Sequence, residues 1–158
     1  MSAILRMSLI LAVAILPAVG PSCGTETGNP TGASQTLSTP LTAAESIRDA
    51  LCERLVECHS GLTVADCLAG VNAATNIDTE LGLSAGVYSS YSAIITAERN
   101  VEITAASSPS AACTVLIDAL ECTDPAVQAA YDSGSPDDFS NVAPMIPGAS
   151  GSCPDVYP

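Results

Sequence analysis

Apolar positions recur along this chain at helical spacing, in short runs separated by turn-forming residues. Ile47, Leu51, Cys52, Leu55 and Cys58 share a face, while Glu53, Arg54 and Glu57 turn mostly outward. Thr42-Ala-Ala-Glu45 sits just ahead of this run as a capping box, so the first helix is predicted to start there. His59-Ser-Gly61 stops it. Thr63-Val-Ala-Asp66 opens a second helix with the stripe Val64, Leu68 and Val71, Cys67 lying beside it. The short connector predicts an antiparallel helix hairpin.

A third helix is expected from Ser84 to Glu98, with Val87, Tyr91, Ile94 and Ile95 on one side. Val101-Glu-Ile-Thr104 then reads as an extended link. A fourth helix is expected to begin near Ser108, with Pro109 at the favoured first position, and to bury Cys113, Leu116, Ile117 and Leu120. Asp124-Pro125 opens a brief fifth turn through Tyr131. From Asp132 to Pro158 the chain is rich in proline and glycine, which predicts an irregular tail. The fold class is therefore all-α: a small bundle of about four helices, stapled by disulfides, with an irregular C-terminal tail. No internal repeat is legible.

The start of the chain has a different pattern. Arg6 precedes the apolar run Met7-Ser-Leu-Ile-Leu-Ala-Val-Ala-Ile-Leu16, which ends at Pro17. That run is too short for a stable membrane-spanning helix, which needs about 20 residues, and it reads as the core of an export signal over residues 1–22. Residues 24–41 are rich in Gly, Thr, Ser, Asn and Pro, which makes residues 23–41 a flexible tether ahead of a domain at 42–158. About 18 such residues reach roughly 20–25 Å.

Composition sharpens this picture. The chain has 17 acidic residues, four arginines and no lysine, and losing Arg6 with the leader takes the net charge from −13 to −14. So acidic a chain repels phosphate backbones and anionic headgroups, which excludes nucleic acid as a partner class. The helices' acidic polar faces also disfavour interfacial membrane binding, which uses basic faces. With one Phe, four Tyr and no Trp, an Ala-rich core buries little area per residue, and cross-links are expected to supplement it.

Seven cysteines are present. Val19-Gly-Pro-Ser-Cys23 resembles a lipobox, the bacterial signal at which the cysteine is acylated and becomes the mature N-terminus. Gly20 stands where that signal usually has Leu. Cys23-Gly-Thr-Glu-Thr-Gly-Asn-Pro30 also resembles the start of many small Gram-negative lipoproteins. Leu51-Cys-Glu-Arg-Leu-Val-Glu-Cys58 and Ala111 to Cys122 are similar to segments of small Cys-rich helical lipoproteins of these bacteria. The resemblance implies lipidation at Cys23, a membrane anchor through that lipid and, with Gly24 following, an outer-membrane location. It brings no catalytic residues.

Setting Cys23 aside leaves Cys52, Cys58, Cys67, Cys113, Cys122 and Cys153, an even set for three disulfides in an oxidising compartment. Cys52 and Cys58 lie about 9 Å apart along one helix. A disulfide tolerates a Cα separation of about 4.4–6.8 Å, so that pair is excluded, and Cys113 with Cys122 likewise. Six cysteines allow about 15 pairings and the sequence alone does not select one; the working hypothesis is Cys58–Cys67 across the hairpin, Cys52–Cys113 between the first and fourth helices, and Cys122–Cys153 fastening the tail.

Candidate chemistry is sparse. Cys52, Cys58, His59 and Cys67 fall in one window, but zinc sites usually pair cysteines about two to four residues apart, and no such pair exists. Asp132, Asp137 and Asp138 share a loop without the order of a calcium-binding hand. His59 is the only histidine, no lysine exists and no Gly-x-Ser-x-Gly elbow occurs, so nucleophilic hydrolysis lacks its parts. No cofactor or metal is implied. The expected role is a non-catalytic cell-envelope lipoprotein acting in structure or in interaction with an envelope protein or polysaccharide. The alternative is a small ligand- or calcium-binding module.

Overall fold

The computed structural model describes residues 40–131, 139 and 142–158. The expected export signal, Cys23 and nearly all of the expected tether lie outside the described residues, as do Asp132, Asp137 and Asp138. Among the described residues the chain is all-α, with five helices and no strand. They are α1 (Ala43–Cys58), α2 (Val64–Ala73), α3 (Tyr91–Arg99), α4 (Ser107–Asp118) and α5 (Pro125–Ala130). Single 3-10 turns occupy Thr79–Leu81, Ala143–Met145 and Cys153–Asp155.

The first helix starts where its capping box predicts. The Thr42 hydroxyl accepts the Glu45 amide at 3.2 Å, and the Thr42 amide donates to Glu45 Oε2 at 3.0 Å. Its inner face buries Ala44, Ile47, Leu51, Cys52 and Leu55. This face makes α1 the centre of the molecule: α4 and α2 pack on it most extensively, and α3 adds to them. His59 leaves the helix in an extended conformation. Gly61, at φ +95°, turns the chain, and Thr63 caps α2 through the Asp66 amide at 3.2 Å. Cys67 and Val71 then face the core.

The third helix begins later than its apolar stripe suggests, at Tyr91 rather than Ser84. Two competing signals explain the difference. The Gly86 amide is bound to Asp78 Oδ2 at 2.5 Å, with Gly86 at φ +73°, which holds this stretch out of helical geometry. Ser90 is also the better cap, accepting the Ala93 amide at 3.3 Å. Val87 is consequently exposed. The stretch from Val101 to Thr104 is not an extended link. Val101 has φ +61°, and the Val101 and Glu102 amides close on Glu98 and Ala97 carbonyls at 3.0 and 2.9 Å. A β-branched residue in that region is strained, so the turn is held by its two closing hydrogen bonds.

The fourth helix starts one residue early, at Ser107, which puts Pro109 third in the helix, still within the first turn where its missing N–H costs nothing. Asp124 caps α5 by accepting the Ala126 amide at 2.8 Å, with Pro125 at the first position.

The tail is irregular in conformation but not peripheral. Val142, Met145, Ile146, Cys153, Val156 and Tyr157 are all buried. The Tyr157 amide donates to the Leu81 carbonyl at 3.1 Å, and the Ala106 amide donates to Val156 at 2.8 Å. Gly82, at φ +88°, makes room for this segment: a Cβ there would meet the Pro154 carbonyl oxygen at 2.3 Å.

All six cysteines of the domain pair, but in none of the expected combinations. The bonds are Cys52–Cys67, Cys58–Cys122 and Cys113–Cys153, with Cα separations of 5.6, 5.1 and 4.7 Å. Cys58–Cys67, Cys52–Cys113 and Cys122–Cys153 do not form. The reason is helical phase. Cys52 lies on the buried face of α1 that meets α2, opposite Cys67, whereas Cys58 is six positions on and turned toward the chain leaving α4. Cys113 lies inside α4 on the face covered by the tail, so it takes Cys153. Cys122, past the end of α4, is left beside Cys58.

Candidate functional site

A polar cluster gathers at the N-terminus of α1. A helix start leaves four amides without intrahelical partners, and all four are satisfied here. Thr42 and Glu45 answer each other through the capping box. The remaining two belong to Glu98, which reaches across from the last turn of α3. The Ala43 amide donates to Glu98 Oε1 at 3.0 Å and the Ala44 amide to Oε2 at 2.9 Å. The Tyr157 hydroxyl also donates to Glu98 Oε2, at 2.8 Å. One carboxylate therefore ties α1, α3 and the tail together, at a position that also favours negative charge.

Neighbouring groups complete the cluster. The Tyr91 hydroxyl donates to the Ala44 carbonyl at 2.9 Å from a fully buried ring. The Arg99 guanidinium, itself exposed, pairs with the buried Glu45 carboxylate. Burial pushes the Glu45 carboxyl upward, but the Thr42 amide and the Arg99 guanidinium outweigh it and hold the group below its ordinary value. Burial raises the phenols of Tyr91 and Tyr157 well above the usual tyrosine range, and for Tyr157 the Glu98 carboxylate adds to that. Both hydroxyls thus remain protonated donors.

A groove of about 380 Å³ opens beside this cluster. Hydroxyls of Ser46, Ser107, Ser110 and Thr114 line it together with Leu41 and three alanines, so its surface is half polar and half apolar. Glu98 contributes its only carboxylate, already holding three donors.

The other singled-out residues sit at the opposite end of α1. The His59 Nε2–H donates to the Val127 carbonyl at 3.0 Å, since a carbonyl can only accept. Its ring meets Tyr131 edge-on with centroids 5.1 Å apart, and Tyr131 in turn packs on Phe139 at 5.6 Å. The zinc candidates Cys52, Cys58 and Cys67 are all in disulfides, which leaves His59 without thiolate neighbours. Among the described residues no three His, Cys, Asp or Glu side chains converge as a metal site. No described helix is long and apolar enough to cross a membrane.

Arg54 also belongs to this end. Its guanidinium reaches the Asp118 carbonyl at the end of α4 and pairs with Glu57 at 2.8 Å, while its buried Nε finds no partner among the described residues.

Sequence pattern alone did not expose Glu98, Tyr157 or Arg99 as structural partners. One signal was available: a capping box satisfies two of a helix's four free amides, so the Ala43 and Ala44 amides needed acceptors from elsewhere. Which side chain would supply them depends on tertiary packing.

No protein-family model matches the chain, and comparison with curated proteins and with solved structures finds no significant match.

Proposed function

We propose that this chain is an exported, lipid-anchored protein of the bacterial cell envelope, whose helical domain serves a structural or interaction role without catalysis. The observation that carries the reading is the complete pairing of the six cysteines after Cys23. Disulfides persist in oxidising compartments and are rare in the cytosol, which supports export. Complete pairing leaves Cys23 as the odd cysteine of seven. It stands at the lipobox-like Val19–Cys23, behind an export signal and ahead of a tether.

In this role the lipid on Cys23 holds the chain to the outer membrane. The acidic domain then meets an envelope protein or polysaccharide at the tether's reach. A structural role is also in keeping with the chemistry of the domain. Its sole histidine holds a backbone carbonyl, and its clustered carboxylates hold backbone amides and an arginine.

Intact mass spectrometry of protein extracted from membranes tests the proposal. The expected species starts at Cys23, carries acyl chains and lacks six thiol hydrogens. Cys23→Ser is expected to move the protein from the membrane to the soluble fraction. An unacylated mature chain starting elsewhere would overturn the reading.

A further inference from the structure

The three disulfides differ in how they meet solvent. Cys52, Cys67, Cys113 and Cys153 are each at most 1 % exposed, whereas Cys58 and Cys122 are half-buried. Thiol–disulfide exchange requires a thiolate to reach a sulfur atom in line with the bond. The four enclosed sulfurs can be reached only after local or global opening of the core. Cys58–Cys122 lies at the edge, joining the end of α1 to the turn between α4 and α5.

The structure also provides for that bond's absence. On one side of it, Arg54 of α1 holds the Asp118 carbonyl at the end of α4. On the other, His59 holds the Val127 carbonyl of α5 at 3.0 Å. These contacts bracket the disulfide. Beneath them, α1 still packs on α4 and α2, and the two enclosed disulfides still tie α2 and the tail.

We infer that Cys58–Cys122 is a redox-labile latch, opened by a dithiol reductant while the rest of the domain stays folded. One thiolate of the reductant attacks a sulfur of the cystine, forming a mixed disulfide and releasing the other cysteine as thiolate. The second thiol of the reductant then displaces the remaining cysteine and closes a cyclic disulfide. The dithiol loses two electrons and two protons, and Cys58 and Cys122 gain them. Opening the latch frees the turn Ala119–Asp124.

The test uses the intact chain titrated with dithiothreitol at neutral pH, quenched by alkylation and mapped by peptide mass. Cys58 and Cys122 are expected to be alkylated at least about tenfold faster than the other four. Hydrogen exchange should rise over residues 119–124 while α1 keeps its protection. Reduction of all six cysteines in a single step, or of Cys52–Cys67 or Cys113–Cys153 first, would overturn the inference. Cys58→Ser/Cys122→Ser should keep its helical circular dichroism and a cooperative melt, and loss of either would likewise overturn it.

Discussion

The two ends of α1 are held by different means. At its start every free amide has a partner, supplied by the capping box and by a carboxylate from α3. The participants are buried or partly buried, and the contacts with Glu98 span 54 to 59 residues of sequence. At its end the fastening is a half-buried disulfide, an arginine to a carbonyl and a histidine to a carbonyl. Hydrogen bonds among buried groups are costly to leave half-made. A covalent bond at the edge contributes mainly by restraining the unfolded chain. The first end is therefore sensitive to single atoms, and the second to redox state.

Replacing Cys113 and Cys153 together by Ala should have the largest effect. It opens a 40-residue loop at a cost of about 4 kcal/mol, much the same as the 64-residue loop of Cys58–Cys122, and in addition loosens the tail that carries Tyr157 to Glu98, which sets it ahead. Chemical denaturation measures this, and a loss below that of the Cys58→Ser/Cys122→Ser variant would contradict the ranking of the two ends. Glu98→Ala leaves two amides and a phenol without their acceptor and should cost roughly 2–4 kcal/mol. Tyr157→Phe removes one of the three donors and should cost about 1 kcal/mol by the same measurement.

At the other end, Gly70→Ala places a Cβ 1.9 Å from the Phe139 ring and must displace it. The expected loss is about 1–3 kcal/mol. Because Phe139 supports Tyr131 and so the His59 ring, His59 imidazole chemical shifts should move with it.

The smallest effect is acid sensitivity at the start of α1. Glu45 is held below its ordinary value of 4.5, so its contribution is complete above that value and is lost as pH falls through the folded-state value. Glu45→Gln should flatten the fall in stability with pH below 4.5, as read from melting temperatures across an acid series. An unchanged slope would show that the Arg99 pair contributes nothing there.

Local rules were readable wherever a short motif decides the structure. Thr42 with Glu45, Thr63 with Asp66 and Asp124 with Pro125 each start a helix at the position their chemistry indicates. The start of α3 was not readable, because Asp78 captures the Gly86 amide from eight residues away and removes Val87 from a stripe it otherwise fits. Disulfide pairing failed for a related reason. Proximity in sequence favours Cys58 with Cys67, but side-chain direction around α1 decides, and the phase difference between Cys52 and Cys58 reverses the choice. Glu98 shows the same limit. The need for an acceptor at Ala43 and Ala44 follows from helix geometry, but the identity of the acceptor depends on where α3 docks.

The segment from Cys153 to Tyr157 bears on the order of assembly. It supplies one half of a disulfide, the phenol on Glu98, an amide for Leu81 and a carbonyl for Ala106. A chain emerging N-terminus first from a narrow passage can make none of these contacts until residue 153 has cleared it, and not all of them until residue 157 has. Until then Cys113 lacks its partner and Glu98 its third donor. Completion of the domain is thereby deferred until residues 153–157 arrive.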